Sequence, residues 1–212
     1  MNEEDHLKTL TDIRSLMERS SRFLSLSGLS GVFLGIFALM GFCAAWKYTS
    51  DNGYSLNDYY RLAFTREGKI NKPFYIFYFS VALMVLVISL VTAFILTQYK
   101  SKRKQLELWD ASAKRLVINL LIPLICGGLF ILMLVKYHLP HLLAPCMLIF
   151  YGLTLLNASK YTFDDIRYLG ILEIILGITA SFLPGLGLIF WGIGFGALHI
   201  IYGTLMYNKY ER

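Results

Sequence analysis

The sequence predicts an all-α membrane protein: a polytopic helical bundle of six transmembrane helices with an N-terminal amphipathic cytoplasmic helix. Two observations predict this class. Of the 212 residues, 56% are hydrophobic and only 16% are charged, whereas roughly 25% of residues are charged in a soluble domain. The apolar residues also form continuous blocks, and the mean hydropathy of the chain is +0.55.

Six apolar blocks approach the roughly 20 residues that a helix needs to cross a bilayer. They cover residues 24–46, 73–98, 116–135, 142–158, 168–183 and 186–207. The fourth and fifth blocks are the shortest, so we expect their helices to extend into the flanking residues. The first block follows a charged segment and contains no small-residue cleavage site before Lys47, which favours a retained N-terminus over a cleaved secretion signal.

The distribution of positive charge predicts the orientation. With six spans and a cytoplasmic N-terminus, 14 of the 20 Lys and Arg residues fall in cytoplasmic segments and 6 in outer ones. Because cytoplasmic loops carry an excess of positive charge, both termini are expected in the cytoplasm. Residues 47–72 then form an outer loop, and residues 208–212 form a cytoplasmic tail. The net charge of +6 thus reflects topology, so we expect membrane lipids around the chain and no nucleic acid partner.

Residues 1–23 are predicted to form an amphipathic helix at the cytoplasmic surface. Leu7, Leu10, Ile13 and Met17 recur at helical spacing, with charged residues between them. Such a helix lies along the membrane or the bundle, or it binds a cytoplasmic protein partner.

Small residues spaced three and four apart line one face of several predicted spans. In lipid, such faces let helix backbones approach closely. We expect them to form helix contacts within the chain, with a homo-oligomer seam as the alternative. The residues concerned are Gly28, Gly31 and Gly35 in the first span, Gly177 in the fifth, and Gly192 and Gly196 in the sixth.

Two ionisable residues, Glu173 and His199, lie inside the last two apolar blocks. Burying such a residue in hydrocarbon costs at least a few kcal/mol, so it usually faces protein, water or another polar group. Both lie at a similar distance from the turn at Gly185, at depths of about 18 and 21 Å for helices rising 1.5 Å per residue. We therefore predict that they face each other or share a water, either as a neutral pair or as an ion pair.

Asn119 and Asn157 belong to the same half of the predicted bundle and are candidates to join Glu173 and His199 in one intramembrane polar site. In one interpretation the site is a hydrogen-bonded clasp, worth about 1 kcal/mol or less per contact. In the other it is a proton-responsive or ligand-binding site that opens to the cytoplasm. Pro123 lies inside the third block and should free a backbone carbonyl near Asn119, because proline has no N–H to donate.

No catalytic residue is predicted. The chain contains no phosphate-binding loop, GxSxG elbow, CxxC pair or HExxH motif. His138 and His141 could lie on one side of a helical turn, which makes them weak candidates for a metal site, but nothing in the sequence clearly completes the ligand set. We expect no metal and no cofactor.

Residues 13–33, IRSLMERSSRFLSLSGLSGVF, resemble the opening of an uncharacterised family of multi-span inner-membrane proteins of Bacteroidetes. The resemblance implies a location in the bacterial inner (cytoplasmic) membrane. Some members carry an automatic label of β-carotene 15,15′-monooxygenase, a class that holds iron with several histidines. That label does not fit, because iron ligands lie within about 2 Å of the metal and the topology spreads the histidines across a membrane roughly 30 Å thick. The chain has four: His6, His138, His141 and His199.

The expected function is therefore that of a non-enzymatic integral inner-membrane protein of the sensory, regulatory or scaffolding type. The alternative is a small proton-linked transporter, or a lipid- or small-molecule-binding membrane protein, that uses Glu173 and His199. A membrane-embedded enzyme ranks third. The absence of a convincing internal repeat weighs against a transporter.

Overall fold

The computed structural model describes residue 23 and the ranges 27–103 and 109–212, and within these residues the chain is all-helical. The long helices are α1 (Gly28–Asp51), α2 (Lys72–Arg103), α3 (Ala111–Lys136), α4 (Leu143–Ala158), α5 (Asp165–Phe182) and α6 (Gly187–Tyr210). Short 3₁₀ helices extend α4 at its two ends, at Pro140–Leu142 and Ser159–Tyr161. Apart from Phe23, the predicted N-terminal helix lies outside the described residues.

Five of these helices are long and apolar enough to cross a membrane, namely α1, α2, α3, α4 with its 3₁₀ ends, and α6. The remaining long helix, α5, is not among these five. It carries three charged residues, Asp165, Arg167 and Glu173, among its 18 residues. Large apolar side chains cover the outward surface of α2, where Leu83 and Met84 are 61% and 62% exposed. In water such a surface would drive aggregation, whereas in lipid it matches its surroundings.

The helices extend beyond several of the predicted spans. α1 continues to Asp51, α2 covers 72–103, α3 begins at Ala111, and α6 continues to Tyr210. The predicted outer loop of 47–72 is correspondingly shorter, and only two residues of the predicted tail of 208–212 follow α6. Hydropathy marks the apolar part of a helix, while the backbone hydrogen bonds continue through the polar ends.

The segment between α1 and α2 folds back onto the bundle. It contains a 3₁₀ helix, Leu56–Ala63, whose residues Tyr59 and Leu62 are buried against Phe74 at the start of α2. The side chain of Asn71 donates to the backbone carbonyl of Leu62 at 2.7 Å. This end of the bundle, the loop face, is therefore covered by an ordered segment of its own chain.

Two groups of helices form the bundle, and both are built on close backbone contacts. In the first half, α1 packs against α2 and α6. A Cβ placed on Gly203 of α6 would lie 2.5 Å from the Val32 nitrogen and 2.8 Å from the Gly28 oxygen. The predicted glycine face of α1 is thus occupied by α6 of the same chain, where Gly31 meets Gly203, Gly35 meets Gly196 and Gly192 meets Phe42.

The second half consists of α4 packed against α3 and α5. A Cβ on Gly152 of α4 would lie 2.6 Å from the Gly170 oxygen of α5, and one on Gly177 would lie 2.9 Å from the Pro145 oxygen. Gly170 and Gly177 of α5 therefore contact α4, whereas Gly192, Gly196 and Gly203 of α6 contact α1. These glycines do not form the contact between α5 and α6.

The end of the bundle opposite the loop face, the terminal face, is held by Glu211. Its carboxylate accepts hydrogen bonds from the Ser27 hydroxyl at 3.0 Å, from the first backbone N–H of α1 at Gly28, and from Lys100 Nζ at 3.2 Å. A carboxylate at this position complements the positive end of the α1 dipole. The Thr162 hydroxyl donates to the Phe23 carbonyl at 2.7 Å, so Phe23 is bonded to the turn between α4 and α5.

Glu211→Ala should lower the free energy of unfolding by about 2 kcal/mol, because hydrogen bonds to a charged group are each worth roughly 1.5–3 kcal/mol. Arg212→Ala, at the exposed neighbouring position, is the matched control and should have almost no effect. Reversible unfolding in mixed detergent and dodecyl sulfate measures both. Equal effects of the two substitutions would contradict a specific role for Glu211.

Candidate functional site

Glu173 and His199 lie in contact between the two halves of the bundle. Nδ1 of His199 is 3.5 Å from Oε1 of Glu173. The Glu173 side chain is fully buried, and His199 is 3% exposed. The predicted juxtaposition of these two residues is therefore present in the structure.

Both ring nitrogens of His199 have hydrogen-bond partners other than Glu173. Nδ1 is 2.9 Å from the Gly194 carbonyl oxygen, and Nε2 is 2.9 Å from the Tyr151 hydroxyl of α4. Because a carbonyl only accepts, a neutral imidazole in this position carries its proton on Nδ1 and accepts at Nε2 from Tyr151. His199 thus links α6 to α4 without any contribution from Glu173.

A π-helical stretch in α6, Gly192–Leu198, brings these groups together. Gly194 and His199 are five residues apart, and in a regular α-helix their side chains would point about 140° apart. The i→i+5 bonding of a π-helix instead places such residues near one another, and π-helical turns are frequent at functional sites. The stretch contains three glycines, which weaken the preference for regular α-helix.

The Glu173 carboxyl group occupies a place that only a glycine partner allows. A Cβ on Gly194 would lie 2.5 Å from Glu173 Oε2 and 2.5 Å from Leu148 Cδ2. Both carboxyl oxygens are buried and have no hydrogen-bond donor among the described residues. A buried polar group without a partner costs roughly 1–3 kcal/mol, and in native proteins it calls for a specific explanation.

Tyr151 and Gly194 belong to this cluster although the sequence analysis did not select them. A tyrosine in the middle of an apolar block usually needs a partner for its hydroxyl, and that signal could have selected Tyr151. The role of Gly194 depends on the π-helical register of α6. A regular helical spacing of three and four selects Gly192 and Gly196 instead.

Asn119 and Asn157 form a second, separate contact between α3 and α4. Nδ2 of Asn157 donates to the Asn119 backbone carbonyl at 2.8 Å and lies 3.3 Å from its side-chain oxygen. Pro123 leaves this carbonyl without an intrahelical donor, as the sequence predicted. Among the hydrogen bonds of the described residues, neither asparagine bonds to Glu173 or His199, so the four predicted polar residues fall into two pairs.

Asn157→Ala should lower the free energy of unfolding by about 1 kcal/mol, a usual value for a hydrogen bond between membrane helices. In a Pro123→Ala background the same substitution should cost less than half as much, because the introduced alanine supplies the missing intrahelical N–H to the Asn119 carbonyl. Unfolding titrations of the four proteins measure this difference. An unchanged cost in the Pro123→Ala background would contradict the assignment.

His138 and His141 lie at the loop face, each beside an aromatic ring of the α1–α2 segment. The ring centroids of His138 and Phe64 are 6.4 Å apart, and those of His141 and Tyr60 are 6.2 Å apart. Among the described residues, no group of three or more His, Cys, Asp or Glu side chains is placed to hold a metal ion.

Comparisons with protein-family models, curated proteins and solved structures found no match to this chain.

Proposed function

We propose that the chain is a non-enzymatic sensory or regulatory membrane protein in which Glu173 is the proton-responsive group. The observation that carries this proposal is a fully buried carboxyl group without a donor among the described residues, at the junction of two tightly packed helix groups. The groups that face it are His199 on α6 and Tyr151 on α4, and both are already paired with each other.

The packing suggests how a proton would act. An ionised carboxylate without donors costs several kcal/mol in an apolar surrounding. Loss of the Glu173 proton therefore requires a water or another donor to reach the carboxylate, which the complete burial of this side chain excludes. Separation of α5 from α6 would lower the free-energy cost of the ionised carboxylate by admitting water. Proton loss and opening of the junction are therefore coupled.

The proposal includes six spans, with both termini in the cytoplasm of a bacterial inner membrane. α5 supports this count because its backbone follows α4 in antiparallel contact from Gly170 to Gly177. The excess of Lys and Arg in the segments assigned to the cytoplasm supports the orientation. The N-terminal segment, residues 1–23, would carry the output to a cytoplasmic protein, because Phe23 is bonded to the turn between α4 and α5.

The distance between the two halves should depend on pH. Spin labels at the native, exposed Cys43 of α1 and at Ile178→Cys of α5, which is 47% exposed, report this distance once Cys126 is replaced by serine. We expect the distance to increase as the pH is raised from about 5 to about 9, because a buried carboxyl group loses its proton only at higher pH than an exposed one. Glu173→Gln, which cannot ionise, should keep the low-pH distance throughout.

Glu67→Gln, in an exposed ion pair with Lys69, is the matched control and should retain the pH response of the parent protein. A distance that does not change with pH, or one that changes equally in Glu173→Gln, would overturn the proposal.

A proton-linked transporter is the second candidate, favoured by the same donor-free carboxyl. Proteoliposomes distinguish the two. A regulatory protein should dissipate an imposed pH gradient no faster than protein-free liposomes, whereas a transporter should dissipate it faster and lose that activity in Glu173→Gln.

A further inference from the structure

A second site lies nearer the loop face, also between the two halves of the bundle. It is a cavity of about 110 Å³ lined almost entirely by apolar side chains. The lining comes from both halves, including Gly41 of α1, Ile131 of α3, Met147 of α4 and Trp191 of α6. Phe79 of α2 also lines the cavity and is 39% exposed, so the cavity reaches the lateral surface of the bundle.

Two tyrosines that line this cavity have buried hydroxyl groups without partners among the described residues. Tyr59, in the 3₁₀ helix of the α1–α2 segment, is 5% exposed, and Tyr75, in the first turn of α2, is 9% exposed. Neither hydroxyl has a hydrogen-bond partner within the described part of the chain. Tyr78 lines the same cavity, but its hydroxyl is paired with that of Thr49 at 2.7 Å.

The arrangement identifies the chemistry of an occupant. It must be largely apolar, to fill a cavity of apolar side chains, and it must offer oxygen acceptors to two phenolic donors. The donors lie at the ends of the helices, whereas Gly41 is ten residues before the end of α1, a depth of about 15 Å. The acceptors therefore belong at the membrane interface and the apolar part deeper in the bilayer.

A diacyl phospholipid has this distribution, with two ester carbonyls at the interface and acyl chains below them. We propose that the cavity binds the ester region and part of an acyl chain of one phospholipid. Tyr59 and Tyr75 donate hydrogen bonds to its ester carbonyl oxygens, and the chain extends toward Trp191. The site is separate from the Glu173 cluster, and its occupancy does not depend on the proton response.

Quenching of Trp191 by a phospholipid brominated on its acyl chains tests this site. Trp46 and Trp109, which are 51% and 60% exposed, are first replaced by phenylalanine. Brominated phosphatidylcholine added to the full-length protein in detergent should quench Trp191 with a saturable curve. Tyr59→Phe and Tyr75→Phe should each raise the half-saturating lipid concentration about fivefold, the effect of one lost hydrogen bond.

Three further arms make the test specific. Tyr78→Phe is the matched control and should leave the half-saturating concentration unchanged, because its hydroxyl is already paired. Ala82→Phe, which narrows the cavity but keeps both hydroxyls, should abolish the saturable quenching. An ether-linked brominated lipid lacks the carbonyl oxygens, so it should bind the parent protein more weakly than the ester lipid does. The doubly substituted Tyr59→Phe/Tyr75→Phe protein should bind the ether lipid and the ester lipid with the same affinity.

The ether-lipid comparison on the parent protein needs no tyrosine variant and remains decisive if a variant fails to fold. Equal binding of ester and ether lipids to the parent protein would overturn the proposal. So would quenching that does not saturate, or quenching that persists unchanged in Ala82→Phe.

Discussion

Gly203→Val should lower the free energy of unfolding by about 3 kcal/mol, the upper range for overpacking a well-packed site. A side chain at this position meets backbone atoms of α1, with the Val32 nitrogen 2.5 Å and the Gly31 carbonyl carbon 2.8 Å from the new Cβ. Backbone cannot rotate away as a side chain can, so α1 and α6 must separate. In lipid, close packing of this kind provides most of the helix association.

Gly128→Val is the matched control for this substitution. Gly128 lies in α3, and a Cβ there would meet nothing within 4 Å among the described residues. Unfolding in mixed detergent and dodecyl sulfate should show a change of less than about 1 kcal/mol for this variant. If the two valines had equal effects, the glycine contact between α1 and α6 would not be the seam of the first half.

His199→Leu should cost about 3 kcal/mol, because removing one partner of a buried polar contact leaves the others uncompensated. The substitution removes the acceptor of the Tyr151 hydroxyl and the ring nitrogen that lies 3.5 Å from the Glu173 carboxyl. Tyr151→Phe removes only that hydroxyl and should cost about 1 kcal/mol. Thermal unfolding followed by size-exclusion fluorescence ranks the variants.

Glu173→Leu should cost much less than His199→Leu, although the two residues touch. Both ring nitrogens of His199 keep their bonds to Gly194 and Tyr151 when the carboxyl is absent. A carboxyl group without donors contributes little to stability, and replacing such a group by an apolar side chain of similar volume is often neutral. A smaller cost for Glu173→Leu than for His199→Leu would show that the Glu173 carboxyl does not serve mainly to hold α5 and α6 together, as expected for a proton-responsive group.

The sequence was sufficient to predict an all-helical membrane fold and the contact between Glu173 and His199. Apolar blocks and the count of residues from the turn at Gly185 contain that information directly, since helix rise is constant. The carbonyl freed by Pro123 was also predictable, because the missing N–H is a covalent property of proline.

Other features depend on tertiary geometry that helical spacing does not contain. The π-helical register of α6 determines that Gly194, rather than Gly192 or Gly196, meets the carboxyl. Glu211 follows the last apolar block and resembles a solvent-exposed tail residue, yet it bonds to the start of α1 from the opposite end of the chain. Both contacts arise from how whole helices are placed against each other.

The free energy of unfolding of the doubly substituted protein, Glu173→Leu with His199→Leu, tests the central claim most directly. If the Glu173 carboxyl has no hydrogen bond to His199, Glu173→Leu should have the same small effect in the His199→Leu protein as in the parent protein. The double substitution would then be about as stable as His199→Leu alone. A Glu173→Leu substitution that costs much stability in the parent protein but none in the His199→Leu protein would contradict the account, because it would show that the two residues stabilise the bundle as a bonded pair.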